Sequence, residues 1–102
     1  MVFVSSNTRK PRFKPAEKEF LLGELIGKRV RVAFASEKSL LGLEGLIADE
    51  TLNTFVLHTG KGTKRVPKTS CTFAFPDAGL LVEGRLLMHR PEDRTKRLYN
   101  RI

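Results

Sequence analysis

The sequence predicts a mainly β protein, namely one small antiparallel β-barrel of five to six strands with a short N-terminal helix and a basic C-terminal helix. Its 102 residues suffice for one domain with a modest core. Apolar and polar residues alternate in several short runs, which is the period of half-buried strands. Turn-forming residues separate these runs at close spacing, which favours antiparallel strands over parallel βαβ units.

Residues 1–14 are predicted to form a flexible basic arm, because they contain four basic residues, no acidic residue and a broken apolar pattern. Residues 15–90 are predicted to form the barrel with its leading helix. Pro15 suits a first helical turn, and acidic residues follow it where the helix dipole favours negative charge. We expect this helix to end near Gly23 or Gly27.

The first strand is predicted directly after Lys28, where apolar residues alternate with arginines. The apolar residues expected to face the core are Val30, Val32 and Phe34. Arg29 and Arg31 therefore share the outer face of the predicted sheet.

The other strands are predicted between successive turn signals, over residues 43–49, 54–59, around 64–66, 72–75 and 80–87. Gly45 is expected to permit the sharp bend that curls a small sheet into a barrel. Pro67 lacks a backbone donor, so its strand is expected at an edge or an end.

Residues 91–102 are predicted to form a basic helical tail. Glu92 and Asp93 suit the first turn of a helix, and basic residues follow them. This order of charges is favourable for a helix dipole.

The balance of charge favours a polyanionic partner, and nucleic acid is the foremost candidate. Lysine and arginine number 19 against 11 acidic residues, which gives a net charge of +8. No apolar run approaches the roughly 20 residues that a membrane-spanning helix needs, and no secretory leader is evident. Cys71 is the single cysteine, so it is expected to be a packing residue in a protein of the reducing cytoplasm.

The sequence contains little material for catalysis by the protein itself. Two histidines, His58 and His89, and one cysteine lie without any recognisable motif around them. A structural or surface role is therefore expected for each, and neither a catalytic site nor a metal site is predicted.

Basic residues in separated groups are predicted to converge on RNA. An ordinary solvated surface is the alternative for any single residue. Phe34, Phe55, Phe73 and Phe75 are expected in the core, so shape and backbone recognition should dominate over base stacking. The predicted RNA-binding residues are Arg9, Lys10, Arg12, Lys14, Arg29, Arg31, Lys61, Lys64, Arg65, Lys68 and Arg85.

Seven segments, in order along the chain, resemble one known family. They are ELIGKRVRV at 24–32, GLEG at 42–45, DETLNTF at 49–55, VPK at 66–68, FAF at 73–75, EGRLL at 83–87 and RPEDRTK at 90–96. The family that they resemble is archaeal ribonuclease P protein component 1, which has a counterpart in eukaryotic ribonuclease P. The compact length is similar to that of archaeal members.

The resemblance implies an Sm-like barrel that acts as a non-catalytic subunit in the removal of 5′ leaders from precursor tRNA. It implies that the catalytic RNA holds the magnesium ions and that this chain binds no cofactor. The implied partners are ribonuclease P RNA, precursor tRNA, a small zinc-ribbon ribonuclease P protein and the other ribonuclease P proteins, with no membrane. Residues expected at the protein-partner or RNA interface are Phe20, Leu21, Arg90, Arg94, Lys96 and Arg97.

Two other functions remain open from the residues alone. One is a general Sm-like RNA-binding protein that assembles as an oligomeric ring, although Pro67 and charged ends discourage the necessary strand pairing. The other is a small nuclease that acts alone, which would need a specific catalytic carboxylate.

Overall fold

The computed structural model describes residues 2–4, 20 and 23–88. Its strands are β1 (Val2–Val4), β2 (Arg29–Ala35), β3 (Glu44–Glu50), β4 (Thr54–Thr59), β5 (Gly62–Pro67), β6 (Cys71–Phe75) and β7 (Leu80–Glu83). Two short 3-10 helices follow β2 and β7, namely η1 (Lys38–Leu40) and η2 (Gly84–Leu87). The predicted strand over 80–87 therefore ends at Glu83, where the chain turns into η2.

The strands form one sheet in the order β1-β7-β6-β2-β3-β4-β5. All pairings among β2 to β7 are antiparallel, which confirms the predicted mainly β architecture of up to six antiparallel strands. β1 adds a seventh strand, which pairs in parallel with β7 and places Val2 opposite Leu80. This strand lies within the predicted flexible arm, and the rest of the arm, the leading helix before Phe20 and the basic tail lie outside the described residues.

Strands β2 to β7 contribute buried side chains to one core. We call this side of the sheet the inner face and the opposite side the outer face. The fully or nearly fully buried core residues are Leu25, Val30, Val32, Ile47, Phe55, Leu57, Val66, Cys71, Phe73, Phe75, Leu80, Val82, Leu86 and Leu87. The predicted burial of Val30, Val32 and three of the phenylalanines is therefore confirmed, as is the packing role of Cys71.

Phe34 was predicted in the core, and this prediction is wrong. The β2–β6 register shifts between Val32 and Phe34, so a β-bulge inserts one extra residue into the alternation. Phe34 then points away from the core and is 65% exposed. Because of this one inserted residue, the ring of Phe34 lies on the outer face of the sheet and not on the inner face.

Gly45 allows β3 and β4 to approach each other closely. A Cβ at this position would overlap the backbone carbonyl group of His58 in β4, so no larger residue fits without movement. The irregularity of β3 lies further along, where the register shifts between Ile47 and Asp49. Within the described part of the chain, no helix has the length and apolar character needed to cross a membrane.

Candidate RNA interface

One row of side chains crosses the outer face of four strands. Arg29 lies opposite Leu46, Leu46 opposite His58, and His58 opposite Thr63. All four residues are exposed. Side chains directly opposite each other on neighbouring strands share a face, so this row is a continuous line of contact positions.

Arg31 belongs to the next row of the outer face, where it lies opposite Glu44 on one side and Ala74 on the other. Both Arg29 and Arg31 are exposed, as the alternation predicts. Neither makes a salt bridge with an acid among the described residues. Their planar guanidinium groups are therefore available to bind phosphate oxygens with two hydrogen bonds.

The β4–β5 hairpin carries a second group of exposed bases, Lys61, Lys64 and Arg65. Thr59 stabilises the tight turn, since its hydroxyl donates to the Gly62 carbonyl at 2.7 Å and accepts from the Lys61 amide at 3.2 Å. Lys64 and Arg65 point to opposite sides of β5, an end strand of the described sheet. The hairpin thus presents positive charge on both sides.

Arg85 is the remaining exposed base in the predicted set. It lies in η2, and its Nε approaches Glu83 Oε1 at 3.9 Å with 68% of its own side chain exposed. An ion pair this long and this exposed contributes little to stability. Arg85 is therefore free to exchange its contact with Glu83 for another anion.

Lys68 was predicted to contact RNA, and the structure contradicts this. Its side chain is fully buried and its Nζ lies 2.8 Å from Glu50 Oε2, whose side chain is buried as well. The same Nζ donates to the Thr51 carbonyl at 2.7 Å and lies 4.7 Å from the centre of the Phe55 ring. The positive charge of Lys68 therefore compensates a buried carboxylate and is not accessible to a ligand.

The Lys68 site ties two connections together. The backbone amide of Lys68 donates to the carbonyl of Asn53 at 2.7 Å, which joins the β5–β6 connection to the β3–β4 turn. Thr51 and Thr54 close that turn through their hydroxyl groups, 2.7 Å apart. Glu50, the last residue of β3, is the buried acid of the site.

Of the residues predicted at a partner interface, the structure describes only Phe20. Its ring is partly buried and packs edge-on against Phe75, with the ring centres 5.3 Å apart. The Nζ of Lys28 lies over the same ring at 5.6 Å. The other predicted interface residues and the four bases of the arm lie outside the described residues, namely Leu21, Arg90, Arg94, Lys96, Arg97, Arg9, Lys10, Arg12 and Lys14.

Of the candidates for chemistry, the structure describes His58 and Cys71, whereas His89 lies outside the described residues. His58 is exposed on the outer face, and Cys71 is buried next to the β5–β6 connection that contains Lys68. Burial raises the pKa of the Cys71 thiol above its ordinary value, and the nearby Glu37 charge adds to this while a hydrogen bond with Ser70 opposes it. No group of three or more histidine, cysteine, aspartate or glutamate residues in the described ranges is placed to hold a metal ion.

The fold and these exposed bases define a small basic protein with a mainly antiparallel β-sheet and a cationic outer surface. A family model described as Ribonuclease P/MRP, subunit p29 matches residues 18–97. The chain belongs to this family.

Individual relatives agree with the family match, and they come from archaea. Ribonuclease P protein component 1 of Methanosphaera stadtmanae is 35% identical over 82 residues, covering 78% of this chain and 88% of the relative. The protein of the same name from Methanocaldococcus jannaschii is 42% identical over 77 residues, covering 72% and 81%. A solved structure described as Mth11, a homologue of human RNase P protein Rpp29, is 41% identical with a TM-score of 0.50, covering 70% of this chain and 96% of that one.

Proposed function

We propose that this chain is an RNA-binding, non-catalytic protein subunit of ribonuclease P that assists the catalytic RNA in removing 5′ leaders from precursor tRNA. Membership of the p29 family supports a place in that complex. The observation that carries the RNA-binding role is the set of six exposed bases on the barrel, namely Arg29, Arg31, Lys61, Lys64, Arg65 and Arg85.

The proposed contribution of the chain is electrostatic. Close packing of RNA helices is opposed by repulsion between phosphates, and bound arginine and lysine side chains reduce that repulsion. A rigid sheet holds the backbone of Arg29 and Arg31 at fixed spacing, so little backbone order has to be gained on binding compared with a flexible peptide. The expected result is an active RNA fold at lower magnesium concentration.

The proposed partners are ribonuclease P RNA, precursor tRNA within the complex, the small zinc-ribbon protein and other ribonuclease P proteins. In this proposal the magnesium ions that support hydrolysis are held by the RNA. The cytoplasm is the proposed location, since precursor tRNA is processed there in cells without a nucleus.

The test measures the cleavage rate of a leader-bearing precursor tRNA by the cognate catalytic RNA at limiting magnesium. The reaction is run with and without this chain and the zinc-ribbon protein. We expect stimulation that requires the catalytic RNA. A folded chain that neither stimulates cleavage nor binds the RNA would refute the proposal.

A matched set of single-charge variants locates the contact. Arg29→Ala, Arg31→Ala and Lys64→Ala should each weaken binding to the catalytic RNA, and each lost phosphate contact should reduce the slope of log affinity against log salt by about 0.7 to 0.9. Lys38→Ala removes one exposed charge from η1, outside the proposed contact set, and serves as the control. Equal losses in all four variants would indicate non-specific attraction without a defined face.

A further inference from the structure

Phe34 is the most exposed of the large apolar side chains in the described residues, with 65% of its surface accessible. Simple alternation along β2 would have buried its ring beside Val32. The bulge in β2 turns it outward instead, and bulges commonly serve to redirect a side chain at a functional site. The ring therefore lies on the outer face, where a ligand can reach it.

The surroundings of the ring on the outer face are polar and include basic side chains. Phe34 lies opposite Thr72, and Thr72 lies opposite Glu83, whose carboxylate is approached by Arg85. Arg31 lies three positions before Phe34 on β2, roughly 10 Å along the strand, and its side chain is also exposed on the outer face. An exposed ring therefore shares a face with a guanidinium group that makes no salt bridge among the described residues.

We propose that Phe34 is a stacking platform for an unpaired RNA base and that Arg31 binds a phosphate of the same single-stranded segment. This inference rests on the RNA-binding function proposed above. The face of a phenylalanine ring stacks on any base, whereas the bases of a paired A-form helix are enclosed in their own stack. The ligand is therefore a loop, bulge or end of RNA and not a continuous duplex.

The neighbours of Phe34 favour RNA over a protein as the occupant. A protein docking site usually has several large apolar side chains at its centre and a polar rim. Here a single ring lies among Thr72, Glu83 and Arg31, and the alanine at position 74 on the same face is already buried. One stacking ring beside a positive charge matches the chemistry of a nucleotide.

The chain has no tryptophan, so Phe34→Trp in the full chain supplies a single fluorescent reporter at the proposed site. The probe is a single-stranded oligoribonucleotide, compared with the fully paired duplex of the same sequence. We expect the single strand to quench the tryptophan and the duplex to leave its emission unchanged. Phe34→Ala should lose about 5- to 150-fold in affinity for the single strand, as for other stacked bases.

Leu52→Trp is the matched control. Leu52 is 42% exposed in the turn between β3 and β4, which does not pair with β2, and its tryptophan should show no quenching that depends on an unpaired strand. Thermal melting of each variant verifies the fold, which an outward substitution should preserve.

The outcomes separate this inference from the proposed function. If Phe34→Ala binds the single strand as well as the wild type does, while Arg29→Ala and Arg31→Ala bind it more weakly, the stacking role is refuted and RNA binding stands. If no variant and not even the wild type binds RNA, the proposed function fails as well. If Phe34→Ala loses only its affinity for the zinc-ribbon protein, the ring is a protein contact and the stacking role is wrong.

Discussion

Lys64 and Lys68 lie four positions apart in one basic stretch, and the fold gives them opposite surroundings. Lys64 is exposed on β5, and no salt bridge holds it within the described residues. Lys68 is fully buried, with its charge compensated by Glu50 and its ammonium group bonded to Thr51. The number of basic residues in the sequence therefore overstates the number available to RNA, since one of the predicted contact residues neutralises an internal acid.

The two sites also differ in what they contribute to stability. An exposed lysine away from any packing usually changes the free energy of unfolding by less than about 0.5 kcal/mol when it is replaced. A buried ion pair gains attraction but loses hydration, so its net contribution is modest, yet removal of one partner leaves an uncompensated charge in the core. The comparison predicts that Lys64 is important for binding and Lys68 for folding.

The largest expected effect is that of Lys68→Met, which keeps the apolar stem of the side chain and removes its charge. The carboxylate of Glu50 would remain buried without its ion partner, and we expect the free energy of unfolding to fall by about 3 to 5 kcal/mol. Urea denaturation measures this difference.

Lys64→Met is the matched control and should leave the unfolding midpoint almost unchanged. The double variant Lys68→Met with Glu50→Gln should recover part of the loss, because it removes the stranded charge together with its partner. A loss below about 1 kcal/mol in the single variant would mean that the pair is dispensable for folding.

A smaller effect is expected at Gly84, where the backbone packs against the connection that carries Lys68. A Cβ at Gly84 would overlap the backbone carbonyls of Lys68 and Cys71. Gly84→Ala should therefore lower the free energy of unfolding by about 1 to 3 kcal/mol, the usual cost of overpacking.

Gly60→Ala provides the comparison in the exposed hairpin, because a Cβ there meets nothing within 4 Å. Thermal melting of the two variants side by side should show a large shift for Gly84→Ala and little for Gly60→Ala. Equal shifts in melting temperature would contradict the prediction that the backbone around Lys68 is closely packed and that the β4–β5 turn is not.

Local pattern predicted much of the fold. The strand predicted over residues 54–59 has the bounds of β4, and the alternation around Val30 and Val32 correctly assigned both faces of β2 up to the bulge. β1 could not be predicted, because three apolar residues carry little periodicity and their partner strand lies far away along the chain. The bulge before Phe34 could not be predicted either, because the alternation of apolar and polar residues gives no sign of an inserted residue.

The candidate site shows the same division between local and long-range causes. The exposure of Arg29 and Arg31 follows from their positions in an alternating strand, so sequence reasoning found them. The burial of Lys68 depends on Glu50, which lies 18 positions away and meets it only through the pairing of β3, β4 and β5. A buried charge with a distant partner looks like any surface charge in a sequence.

Cys71 can be used to test whether the core around Lys68 is closed to water. Its amide donates to the Lys68 carbonyl at 3.4 Å, its side chain is buried, and burial raises the pKa of the thiol. Because the thiolate is the reactive form, alkylation at pH 8 should be at least about tenfold slower in the folded chain than in urea. Lys68→Met should accelerate it, whereas Lys64→Met should not.

The same raised pKa sets a small pH dependence of stability. Below the ordinary thiol pKa of about 8.5, both states of the chain keep Cys71 protonated and its contribution is fully present. As the pH rises above that value, the unfolded chain ionises first, so the free energy of unfolding should decline. Cys71→Ala should lack this part of the decline between pH 8 and about 10, and identical pH profiles for the two proteins would show that the thiol reaches water as readily in the folded chain as in the unfolded one.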